Sequence, residues 1–230
     1  MDIKAISKTI IRNLKTRVVG KSQYGNQQWE KADKKWYSEI HNQNTELHKN
    51  FQNYLKSKHD VKTILEVGCG TGVYPIQQKE LFIGKKYTGL DFSKPNIEFC
   101  RQHSDFDFIQ GDFIKIDLDT KFDLVYSHAV IDHVYDIDEF LRQIIKLCKK
   151  YAYVNAYRGF FPDIDEHVMH WRDDDNCYYN DLSVRKCKKI LLECGLTKNE
   201  FEIKKQKNVD MDGKVWFETI LEITKNNLDE

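Results

Sequence analysis

The chain has 230 residues, with 36 Lys and Arg balanced by 36 Asp and Glu, so its formal net charge is zero. That balance argues against a general polyanion binder, which needs surplus cations to neutralise phosphates. A mean hydropathy of −0.65 and the lack of any long apolar run exclude helices that span a membrane. Six cysteines (Cys69, Cys100, Cys148, Cys177, Cys187, Cys194) form no C-x-x-C pair, which predicts free thiols in a reducing cytoplasm rather than a zinc or disulfide frame. No secretory signal opens the chain, in keeping with a cytoplasmic location. The length suits one α/β domain, expected over 57–230, behind an N-terminal helical extension over 1–56.

In chain order, Ile3, Ile6, Ile10, Leu14 and Val18 form an apolar stripe beside Lys4, Lys8, Arg12, Lys15 and Arg17. This predicts an amphipathic helix that packs on the domain or joins a homodimer, in preference to one that binds a membrane surface or RNA. Residues 24–56 are rich in aromatics and predict two further helices. From Val61 onward strands alternate with helices. Strands are expected at 61–67, 87–91, 106–110, 122–127, 151–155, 201–206 and 215–224, and helices at 73–83, 94–103, 136–149 and 183–194. Ser93 is a candidate cap for the second of these helices and Gly195 a stop for the last. This pattern predicts a seven-stranded, mostly parallel sheet with helices on both faces and an antiparallel C-terminal hairpin. The segment from Ala156 to Tyr179 shows no clear period and reads as a long irregular link.

The chemistry concentrates at strand ends. The run Glu66-Val67-Gly68-Cys69-Gly70-Thr71-Gly72 follows the first strand, and Asp91 closes the second. Glycines let the backbone turn tightly and approach a ligand, and an acid at the second strand end can accept ribose hydroxyls. The G-x-G-x-G spacing with an acid before it suits a cationic or amine-bearing ligand better than a diphosphate. The nucleoside triphosphate motif G-x-x-x-x-G-K-[ST] is absent.

These residues resemble the first motif, E-x-G-x-G-x-G, of the class I S-adenosylmethionine-dependent methyltransferases, a likeness that extends from about Val61 to the end of the chain. The resemblance implies S-adenosylmethionine as methyl donor and S-adenosylhomocysteine as product. It implies a cofactor site built from Glu66, Gly68, Cys69, Gly70, Gly72, Asp91, Phe92, Asp112, Phe113 and Ser127. Asp112 would meet the adenine amine, Phe92 and Phe113 the ring, and Ser127 the methionine end. It also implies that Tyr24, Gln28 and Trp29 fold over the cofactor as a lid.

A hydroxyl acceptor needs a base with a pKa near neutrality. His128 and His133 are the candidates, with Asp132 as orienting acid. Tyr157, Arg158, His167, His170, Trp171 and Arg172 are candidate acceptor-binding residues. Their aromatic faces and cations suit a small polar acceptor such as a sugar or nucleotide-sugar. Two alternatives remain open: an RNA methyltransferase using the basic N-terminal helix, and a metal-assisted O-methyltransferase. The latter resembles an E-x-x-E-H pattern in which Asp132-His133 matches the second half, His167 or His170 could complete the set, and Ala129 replaces the first acid. A divalent ion is therefore not favoured, and a nucleic-acid partner is not expected. A non-catalytic binding module is the third reading, opposed by the intact cofactor residues.

Overall fold

A computed structural model describes residues 46–173, 177–209 and 215–226. The expected helix over 1–19 with its dimer contact, most of the aromatic helices over 24–56, and the lid candidates Tyr24, Gln28 and Trp29 lie outside the described residues.

Helix α1 (Glu46–Ser57) leads into β1 (Thr63–Val67), α2 (Val73–Gln77), β2 (Lys86–Asp91), α3 (Lys94–His103), β3 (Asp107–Gln110) and β4 (Phe122–His128). Next come α4 (Ile137–Leu147), β5 (Cys148–Ala156), three short strands β6 (Phe160–Phe161), β7 (Val168–Arg172) and β8 (Cys177–Ser183), then α5 (Val184–Glu193), β9 (Phe201–Val209) and β10 (Val215–Thr224). The main sheet has seven strands in the order β3-β2-β1-β4-β5-β10-β9, with β10 antiparallel to both of its neighbours. No helix among the described residues is long and apolar enough to cross a membrane.

Strand alternation divides the core in two. Ile64, Tyr87, Leu124, Tyr126 and Tyr153 face α1, α2 and α3. Leu65, Val67, Val125, Val154 and Leu221 face α4 and α5. Helix α4 shows why the second face closes well. Ile137, Phe140, Leu141, Ile144 and Ile145 recur at helical spacing and are all buried, and the Asp136 side chain accepts the Glu139 N–H at 3.1 Å to cap the first turn. The strand order reverses between β1 and β4, which opens a crevice at their carboxyl ends.

Four expectations change. The helix over 73–83 ends at Gln77, and a 3-10 turn (Lys79–Phe82) follows, because Leu81 and Phe82 turn into the core and Phe82 packs on Tyr87 at 4.9 Å. The helix over 136–149 stops at Leu147, since Cys148 already pairs with Phe122 and begins β5. Ser93 makes no side-chain cap; its N–H instead donates to Asp91 Oδ1 at 2.8 Å. The link after β5 is a second, three-stranded sheet in the order β6-β8-β7. The Ser183 hydroxyl, at the end of that sheet, accepts the Lys186 N–H at 3.0 Å and so starts α5.

Candidate functional site

The turn after β1 depends on three glycines for three different reasons. Gly68, Gly70 and Gly72 all adopt positive φ, a region that L side chains rarely occupy. A Cβ on Gly68 would lie 2.3 Å from a Val130 methyl, so the segment after β4 packs directly against the turn. A Cβ on Gly72 would meet Cys100 Sγ at 3.0 Å, which brings α3 close from the other side. At Gly70 nothing stands within 4 Å, and its N–H is held by Asp91 Oδ2 at 2.9 Å. Asp91 thus ties the turn to the end of β2 while its other oxygen takes the Ser93 N–H. It is only 6% exposed, and burial pushes its carboxyl above the usual range although those N–H groups pull it back.

Glu66 lies beneath the turn, in the layer between the sheet and the α1–α3 side. Its Oε2 accepts the hydroxyl of Tyr126 at 2.7 Å and that of Tyr87, from the two strands that flank β1. Burial raises its pKa to about 7, against the lowering effect of the two phenols. Cys69 is buried behind the turn.

The other cofactor candidates are placed as follows. Asp112 accepts the Tyr135 hydroxyl at 2.7 Å through Oδ2 and the Ile114 N–H at 3.1 Å through Oδ1. Phe113 is buried, with its ring edge-on to Phe140 at 5.2 Å. Phe92 is half-buried, and Ser127 is fully enclosed between β1 and β5.

The two histidine candidates separate. His128, the last residue of β4, lies on the α1 side within a set of rings: Phe51 at 4.8 Å, Tyr74 at 5.1 Å, Tyr126 and Tyr153 each at 5.6 Å. Beyond it the chain turns through Ala129, the one described non-glycine residue at positive φ (54°), into a 3-10 turn over Ile131–His133. His133 lies on the small-sheet side. Its Nδ1 is 2.6 Å from the Tyr178 carbonyl oxygen, and its ring meets Tyr179 edge-on at 5.1 Å and Tyr157 at 5.7 Å. A carbonyl only accepts, so Nδ1 carries the proton and Nε2 holds a lone pair in the neutral ring.

Asp132 is fully buried, with its carboxylate turned to the backbone beyond β5. Its two oxygens accept the backbone N–H groups of Tyr157 at 3.2 Å and Arg158 at 3.0 Å. Burial, only partly offset by these donors, pushes its pKa to about 7. The bonds clasp the end of β5 to the end of β4, which makes Asp132 a positioning residue and not the partner of either imidazole.

Beside His133, Arg158 pairs with Asp181 Oδ1 at 2.5 Å and His170 Nε2 with Asp181 Oδ2 at 2.7 Å. Burial opposes it, but the hydrogen bonds from Arg158 and His170 and the Arg158 charge hold the Asp181 carboxyl below its usual range. The guanidiniums of Arg172 and Arg158 lie 4.7 and 5.7 Å from the Tyr179 ring centre. Trp171 packs edge-on to Tyr178 at 5.1 Å. His167 stays outside the cluster: its Nδ1 accepts the Ser183 N–H at 2.9 Å, and Asp138 of α4 lies 3.8 Å from its Nε2. Among the described residues no three His, Cys, Asp or Glu side chains stand close enough together to hold a metal ion.

Asn180 and Asp181 escaped the sequence reading. Asn180 Nδ2 donates to the carbonyls of Ile131 at 3.0 Å and Val134 at 2.8 Å, which fastens the small sheet to the segment carrying His133. Their partners are distant in sequence, and no local spacing announces them.

A methyltransferase-domain family profile matches residues 58–210. The chain belongs to the class I S-adenosylmethionine-dependent methyltransferases. Among curated relatives it is 29% identical over 97 residues to malonyl-acyl-carrier-protein O-methyltransferase of Calditerrivibrio nitroreducens, covering 40% of this chain and 36% of that protein. It is 30% identical over 92 residues to ubiquinone biosynthesis O-methyltransferase of Pelagibacter ubique, covering 38% of each. The chain thus matches little more than a third of the length of these relatives. Among solved structures, the plantazolicin methyltransferase BpumL, crystallised in complex with a pentazolic desmethylPZN analog and SAH, aligns with a TM-score of 0.61 at 14% identity, over 90% of this chain and 96% of that one. The methyltransferase fold is therefore present, with the seven-stranded sheet read from the sequence.

Proposed function

We propose that the chain methylates an oxygen of a small polar acceptor, with His133 as general base and the small sheet as acceptor platform. The observation that carries this reading is the Nδ1 contact to the Tyr178 carbonyl, which leaves Nε2 as the basic atom of the neutral ring. The crevice suits an adenosyl sulfonium. Gly70 offers open backbone beside Asp91, whose carboxylate keeps acceptor capacity beyond the Gly70 and Ser93 N–H groups and the Asn96 side chain and can take a ribose hydroxyl. Glu66, Gly68, Cys69 and Gly72 shape the turn, and Phe92, Asp112, Phe113 and Ser127 mark where adenine and the methionine end would lie. When bound, the cofactor supplies an electrophilic methyl group.

The protein's part is alignment and proton removal. Val130 packs on Gly68, and the next three residues carry His133 to the small sheet, so the turn and the base are held by one short segment. Tyr157 and Tyr179 flank the imidazole as stacking faces for a sugar or nucleotide-sugar, and Arg158, His170 and Arg172 surround them with hydrogen-bond donors. His133 Nε2 would take the proton of an acceptor hydroxyl held on this platform. The two curated relatives described above are named as O-methyltransferases, which supports oxygen as the acceptor atom.

The two guanidiniums over Tyr179 favour a second reading, in which the acceptor is a carboxylate held by Arg158 and Arg172. A carboxylate is already ionised near neutral pH and needs no base. Transfer of radiolabelled methyl to panels of sugars, nucleotide-sugars and carboxylic acids, with wild type and His133→Ala, separates the two. For a hydroxyl acceptor kcat falls by about 10²–10⁴-fold with S-adenosylhomocysteine affinity unchanged. A variant that turns over carboxylic acids at the wild-type rate favours the second reading, and no transfer to any acceptor removes both.

A further inference from the structure

A cavity of about 560 Å³ lies between α1 and the β9–β10 hairpin, on the sheet face where His128 sits. Asn50, Tyr54 and Ser57 of α1 and Lys58 just beyond it line one side, and Tyr153, Lys204, Gln206 and Glu222 line the other from β5, β9 and β10. Its volume suits a small metabolite. Nothing in the proposed methyl transfer uses it.

Two features make it a built site. The hydroxyls of Tyr54 and Tyr153 are buried and have no hydrogen-bond partner among the described residues, and Tyr153 is only 1% exposed. Buried polar groups are nearly always satisfied, so a pair of orphaned phenols on one cavity calls for an acceptor from outside. Their rings pack against each other at 4.8 Å, and burial keeps both phenols protonated through the physiological range, so both can donate. The second feature is charge. The Lys58 ammonium lies over the Tyr54 and Tyr151 rings at 5.1 and 4.6 Å. Glu222, the one carboxylate among the described residues of the wall, is paired with Lys204 at 2.6 Å. The wall therefore presents chiefly donors and a net positive charge, while Lys205 turns its ammonium to the other face, over Phe217.

We propose that this cavity is a second ligand site, distinct from the glycine turn, for a small molecule bearing a phosphate or carboxylate group, whose oxygens accept from Tyr54, Tyr153 and Lys58. A ligand there joins α1 to the C-terminal hairpin. It also lies one ring from His128, because Tyr153 contacts both Tyr54 and His128.

The test is isothermal titration calorimetry on the full chain with the cofactor crevice saturated by S-adenosylhomocysteine. The probes are pyrophosphate and citrate, with sodium chloride at matched ionic strength as control. Wild type binds at least one probe above the chloride background, and the stronger probe identifies the headgroup. Tyr153→Phe and Tyr54→Phe, which remove only an unpartnered oxygen, each weaken binding about tenfold, the loss of one hydrogen bond to a charged acceptor. Lys58→Gln weakens it as well and guards against a folding defect in either phenylalanine variant. Equal heats for probes and chloride overturn the proposal, as does undiminished binding in both phenylalanine variants. Because the readout is binding and not turnover, it stands apart from the assay of methyl transfer.

Discussion

Glu66 sits where the chain's electrostatics and its glycine turn meet. Its pKa of about 7 in the folded chain lies above the ordinary 4.5, chiefly through burial. Between those pH values the native state keeps a proton that the unfolded chain has released. The contribution of this group to stability is therefore complete below about pH 4.5 and is lost as pH rises through 7. Glu66→Gln leaves a neutral oxygen for Tyr87 and Tyr126 and removes the titration. In urea denaturation the variant should match wild type at pH 4.5 and exceed it by roughly 2–3 kcal/mol at pH 8. A difference that does not change with pH would show that Glu66 does not titrate in this range. Ala129 is a second site of tension. Its φ of 54° places an L residue in the left-handed region between His128 and the His133 turn. Ala129→Gly should stabilise the fold by about 1 kcal/mol, seen as a rise in Tm of roughly 2–4 °C. No rise would mean that the neighbouring packing already absorbs the strain.

Among the elements, the small sheet decides whether the candidate base has a platform. Asn180 donates to two carbonyls of the His133 segment. Asn180→Ala strands both, so a loss of about 2–3 kcal/mol is expected in chemical denaturation. A lower kcat/KM with unchanged S-adenosylhomocysteine affinity should accompany it; a loss of cofactor affinity instead would mean that the sheet also holds the glycine turn. This sheet is also where the sequence was least legible. The β/α alternation, the glycine turn and Asp91 could be read because each is a local pattern: apolar period, glycine spacing, an acid at a strand end. The pairings of His133 with Tyr178, Asn180 with Ile131 and Arg158 with Asp181 span tens of residues, and β8 carries polar residues at buried positions that hide its period. His128 and His133, five residues apart, looked equivalent in the sequence. The left-handed residue and 3-10 turn between them send the two rings to opposite sides. Asp132 read as an imidazole partner because it adjoins His133, yet its oxygens are taken by backbone amides from β5.

For the whole molecule, a ligand that binds only the folded chain stabilises all of it. At a hundredfold excess over its Kd, S-adenosylhomocysteine should add about 2.7 kcal/mol, a rise in Tm of roughly 5–10 °C by differential scanning fluorimetry. Asp91 joins the end of β2 to Gly70 and Ser93, so Asp91→Ala removes both the ribose acceptor and the anchor of the turn. The same concentration should then raise Tm by less than about 1 °C. A shift as large as that of wild type would remove Asp91 from the cofactor site.

The strand order also bears on how the protein is made. Strand β10 lies inside the sheet, between β5 and β9, although it follows both of them in sequence. During synthesis the outer edge of β5 stays bare until the hairpin has left the ribosome and slotted in. An open edge of that kind is a template for pairing with other nascent chains. Chaperone dependence and aggregation during translation should therefore track the arrival of Val215–Thr224, more than any loss of the helices already folded on the other strands.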